Sequence, residues 1–191
     1  SDQKNKDTPL KEVILEEKIA ETEAIAEKKY KADSLTKITL FAESSFKLPG
    51  YIISTLQENK RASTPNDNNK DSIFINGVNA FRNNNFSLAI QNFNNIPVTL
   101  DSNKYYTLLE WKGYAYFKNK DYNQAADQFK ELSKLDIEQY QYNYLLCLLP
   151  NYPENKNEIK AILKTMTNPQ LNHAKRLDAL NIQNQLTQTL N

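Results

Sequence analysis

The chemically versatile side chains of this chain are few: one histidine, one cysteine and one tryptophan among 191 residues. His173, beside Asn172, could serve as a base. No Ser, Cys or carboxylate pair is placed around it by a recognisable motif, so it reads as a partly exposed residue at the start of a last helix. Cys147 reads as a small buried hydrophobe rather than a nucleophile. A single cysteine excludes an internal disulfide, and one histidine with one cysteine excludes the usual zinc sets. Three glycines leave no phosphate-cradling loop. The runs Glu16-Glu17-Lys18 and Glu27-Lys28-Lys29 read as a solvated helical face, not a metal site. Trp111 reads as a helix-packing residue ahead of a groove anchor. No set of nucleophile, base and oxyanion donor can be assembled, so the expectation is a non-enzyme with no catalytic residue, cofactor or metal.

The charge balance, 24 Lys+Arg against 23 Asp+Glu, argues against a nucleic-acid partner, which would need a basic excess to displace counterions. No run of about 18 apolar residues exists to insert into a bilayer. The polar start, Ser1 to Lys6, lacks the apolar stretch of a signal peptide. The 25 asparagines and the preference for lysine over arginine, 21 to 3, fit an AT-rich coding sequence. The asparagines are dispersed through helical apolar patterns and form no prion-like tract.

The elements that must position any site are helical throughout, with no period-two run to make a strand. After a disordered lead over 1–7, Thr8-Pro9 carries a cap and a first-turn proline. A Glu/Ala/Lys helix to about Lys31 follows, with a thin apolar stripe of Leu15, Ile19, Ala26 and Tyr30. A second helix is expected over Leu35–Phe46, broken by Lys47-Leu48-Pro49-Gly50-Tyr51. The segment from Ser63 to Lys70 is polar and turn-rich. The expected organisation is therefore a helical extension over 1–60, a linker over 61–70 and an all-α domain over 71–191.

That domain repeats itself. Residues 73–96 align with 109–132 at a constant offset of 36: Gly77 with Gly113, Phe81 with Phe117, Arg82 with Lys118, Phe86 with Tyr122, Ala89 with Ala125, and Phe93 with Phe129. A small residue, an aromatic nine on, an Ala twelve on and an aromatic sixteen on specify two closely packed helices. This pattern resembles the tetratricopeptide repeat (TPR) family. The family's usual turn glycine is replaced by Asn84 and Lys120. The resemblance implies an all-α, TPR-like right-handed solenoid. Two clear units, about 70–103 and 106–139, would precede a degenerate one at 140–168 and a capping helix at 170–190. The third unit would have helices at Tyr140–Leu149 and Asn157–Met166, with Cys147 at the small-residue position and a turn at 150–153.

The same resemblance implies a concave groove lined by Phe74, Val78, Phe81, Arg82, Glu110, Tyr114, Phe117 and Lys118, able to hold a peptide or protein segment. A clamp for a C-terminal carboxylate is not expected, because Phe74, Val78 and Trp111 stand where Lys and Asn would be needed. The expected function is a non-catalytic interaction module that binds a peptide or protein segment in this groove. The alternative is that the chain's own N-terminal helices fill it in a structural or self-associating role, a homo-oligomer included. The order of elements, the segment Phe46 to Tyr51 and the ending from Pro169 to Ala174 are also similar to membrane-anchored TPR proteins of the Bacteroidetes envelope. That likeness implies a periplasmic, envelope-associated module cut from its anchor; without it, the reading is cytoplasmic.

Overall fold

The computed structural model of the protein describes residues 8–58, 70–97 and 102–190. Every regular element among them is helical: α1 (Thr8–Ser45), α2 (Gly50–Gln57), α3 (Lys70–Arg82), α4 (Phe86–Asn94), α5 (Ser102–Lys118), α6 (Tyr122–Ser133), α7 (Glu138–Leu148), a 3-10 turn (Leu149–Asn151), α8 (Tyr152–Thr167) and α9 (Arg176–Leu190). The lead over 1–7 and the linker over 61–69 lie outside the described residues.

The first two hairpins, α3/α4 and α5/α6, are built on one plan. A Cβ on Gly113 would stand 2.7 Å from the Phe129 ring, and one on Gly77 would collide with Phe93. Glycine is therefore required for close approach of the two helices of each hairpin. The turns also match. Asn84 (φ 58°) and Lys120 (φ 67°) take left-handed backbone. Each donates its N–H to the residue three before it, Phe81 or Phe117, while Asn85 and Asp121 donate to Ala80 and Tyr116 at 2.9 Å. Both are Schellman endings. Asparagine tolerates this geometry, whereas lysine enters it at a cost of about 1 kcal/mol.

Three boundaries differ from expectation. Where two helices were expected before Lys47 there is one of 38 residues, because Ala32-Asp33-Ser34 contains no residue that breaks the hydrogen-bond ladder. The first residue of α8 is Tyr152, since Pro153 is well accommodated in a first turn. The last helix starts at Arg176, so His173 precedes it.

The core runs without interruption from Ile38, Ala42, Phe46 and Ile52 in the N-terminal region to Ile182 and Leu186 in α9. α1 packs on α7, the 3-10 turn and α9, and α2 packs on α3. Cys147 is buried as expected, and desolvation pushes its thiol well above the usual value. Among the described residues no helix is long and apolar enough to cross a membrane.

Candidate functional site

Four of the eight groove candidates, Arg82, Glu110, Tyr114 and Phe117, meet the chain's own segment, residues 46–58. α1 ends at Ser45, and Pro49 then sets an extended turn (φ −68°, ψ 155°) ahead of α2. Phe46 is thereby delivered onto α5. Its ring stacks on Phe117 at 3.6 Å and 8°, and it meets Tyr114 and Phe129 edge-on at 5.5 and 5.7 Å. Ile52, fully buried, follows it into the core from α2. Stacked and edge-on aromatic pairs of this kind add to the stabilisation from burial.

Val78, Phe81, Glu110, Tyr114 and Phe117 are all buried, and Phe74 is half-buried. Phe81 and Phe74 turn their edges to Trp111, at 5.7 and 6.0 Å, so the tryptophan is a core residue as expected. The Tyr114 hydroxyl accepts from Asn143 Nδ2 at 3.1 Å. Lys118 alone among the eight is exposed.

Two polar groups in this set are committed to α2. The Arg82 guanidinium donates to the backbone oxygens of Thr55, Leu56 and Glu58, and to Asn79 Oδ1. It therefore caps the last turn of α2, where unpaired carbonyls carry the negative end of the helix dipole. Glu110 receives the hydroxyl of Tyr51, from the first turn of α2. Burial raises the Glu110 carboxyl above its ordinary value, while hydrogen bonds from Tyr51 and Tyr140 pull it back down. Burial and the neighbouring Glu110 charge push the Tyr140 hydroxyl up to about 12.

A cleft of about 450 Å³ borders this segment, with Lys47, Pro49, Tyr114, Gln139 and Lys175 on its walls. No group of three or more His, Cys, Asp or Glu among the described residues could hold a metal. His173 is buried rather than partly exposed. Its Nδ1 accepts from the Lys175 N–H at 3.0 Å, which leaves Nε2–H to donate to Gln141 Oε1 at 3.1 Å. The histidine thus ties the turn before α9 to α7.

Sequence reasoning did not assign Phe46, Tyr51, Ile52 or Asn143 to this site. The available signal was Phe46, Leu48 and Ile52, an apolar set directly after a Pro-Gly break. A helix that stops and is followed at once by such a set is returning to the core. No protein-family model matches the chain, and no curated protein or solved structure shows significant similarity to it.

Proposed function

We propose that this protein is a non-catalytic, TPR-like interaction scaffold whose repeat face is filled by its own residues 46–58. The helix pairs repeated at an offset of 36, with the same Gly–Phe contact and the same Schellman turn, support the TPR-like reading. The observation that carries the proposal is the stack of Phe46 on Phe117, one of the residues expected to line the groove. Arg82 adds to it, because its donors are spent on α2 and are not free for an incoming peptide. In this reading the repeat units supply a rigid body, and contacts with other proteins are made by surfaces outside the filled face. The alternative, an open groove that takes a peptide, would require displacing Phe46 and Ile52 from the core.

A peptide-library selection against the full chain separates the two. A filled face yields no peptide whose binding perturbs the NMR signals of Tyr114 and Phe117. Recovered peptides that shift those signals and lose affinity on Phe117→Leu would replace this reading with the open groove.

A further inference from the structure

Two fully buried polar side chains, Tyr114 of α5 and Asn143 of α7, meet beside the cleft that Lys47 and Pro49 border. Their hydrogen bonds run in one direction. Gln139 Nε2 donates to Asn143 Oδ1 at 2.9 Å, and Asn143 Nδ2 donates to the Tyr114 hydroxyl at 3.1 Å. That leaves the hydroxyl its own proton to donate, and no acceptor for it stands among the described residues. Phe46 and Phe129 cover the ring edge-on, so the hydroxyl end is the part of Tyr114 that borders the cleft. Each bond in such a chain polarises the next, which makes the last donor the strongest. A buried donor left unspent is also costly.

Two ammonium groups share the cleft with this hydroxyl. Lys47 is exposed and makes no ion pair among the described residues. Lys175 is held in place: its Nζ lies 3.5 Å from Asp178 Oδ2 and 5.5 Å from the centre of the Tyr142 ring. The turn that carries it is pinned to α7, by His173 on Gln141 and by Glu138, which accepts from the Ala174 N–H. Lys47, Lys175 and Asp178 are the charged residues on the walls, so the cleft has one positive charge in excess. Leu48 and Pro49 give it an apolar side. Its volume of about 450 Å³ falls within the range of about 300–1,000 Å³ that small-molecule sites occupy.

We propose that this cleft binds a small organic monocarboxylate. The Tyr114 hydroxyl donates to a carboxylate oxygen, Lys47 and Lys175 balance the charge, and Leu48 and Pro49 take the apolar body. A carboxylate accepts from all three donors and asks for none in return. One positive charge in excess also matches one negative charge, which sets a carboxylate ahead of a phosphate dianion. The inference rests on the filled face, since Lys47 to Pro49 form one wall of the cleft.

Titration of the full chain with acetate, benzoate, phenylacetate and hexanoate, followed by NMR at neutral pH, tests it. At least one of these acids saturates the protein with a dissociation constant of about 1 mM or below. It shifts the signals of Gln139, Tyr114 and Lys175 and leaves those of Phe117 in place, while the matching primary amide does not bind. Tyr114→Phe weakens binding about tenfold, the loss of one hydrogen bond to a charged group. Lys47→Ala, at an exposed position, weakens it about threefold and decides the matter if Tyr114→Phe does not fold. No saturable shift with any of the acids overturns the site alone. So does an amide as tight as its acid, or binding that a folded Tyr114→Phe or Lys47→Ala leaves unchanged. Shifts at Phe117 together with Tyr114 would mean that the face has opened, and would overturn the filled face as well.

Discussion

Arg82 and Lys118 close the first helices of two hairpins built alike, yet one is bonded to three backbone carbonyls at the end of α2, that of its C-cap Glu58 included, and the other faces water. Phe81 and Phe117, each one residue earlier, differ in the same way. Phe81 packs edge-on against Trp111 and Phe86, inside its own neighbourhood of repeats. Phe117 meets Tyr122 edge-on, the counterpart of Phe86, but also stacks on Phe46, which arrives from 71 residues earlier in the chain. The shared plan is local, since Gly, Phe and the turn residue lie within one hairpin. What covers each hairpin is decided by a segment outside it.

The largest expected effect comes from removing what is particular to the second hairpin. Phe46→Ala should cost about 3–5 kcal/mol of unfolding free energy, because it opens a cavity between Phe117, Tyr114 and Phe129. Urea titration followed by circular dichroism measures it. A loss below about 1 kcal/mol would mean that the stack is not part of the core.

A smaller contrast separates the paired cations. Arg82→Ala should cost about 1–2 kcal/mol, since the carbonyls at the end of α2 lose their charged donor. Lys118→Ala should leave the melting curve where it is. Equal effects at the two positions would erase the difference between the hairpins.

The smallest effect is the pH dependence of the α2 attachment. Burial raises the Glu110 carboxyl in the folded state. The folded protein therefore holds that proton more tightly than the unfolded chain does. The resulting stability is fully present below the ordinary carboxylate value and is lost as pH rises through the folded value. Glu110→Gln, whose amide oxygen still accepts from Tyr51, should match the wild type near pH 4 and melt higher near pH 7. A variant that melts lower at pH 7 would show the carboxylate to be the favoured form.

The comparison also separates what was legible in the sequence from what was not. The offset of 36 marks Gly77, Gly113, Phe93 and Phe129 as packing residues, and their contacts follow from side-chain size alone. The breaks at Pro49-Gly50 and Pro169 likewise stand close to observed helix ends. The destination of Phe46 was not legible, because nothing in its own neighbourhood encodes which of several apolar surfaces it meets. The single helix α1 was missed for a related reason. Residues 31–34 are merely weak in apolar content, and weakness does not end a helix that Ile38 and Ala42 anchor. For His173, no local motif marks the Gln141 contact 32 residues away.

Amide hydrogen exchange across residues 49–58, read by NMR in the unmodified chain, bears most directly on the filled face. Protection of the Ile53 and Glu58 amides, which donate to the Pro49 and Ser54 carbonyls at 3.1 Å, is expected to rise and fall with that of α5. Exchange of both at the rate of a free peptide, while α5 and α6 stay protected, would mean that the segment does not occupy the face.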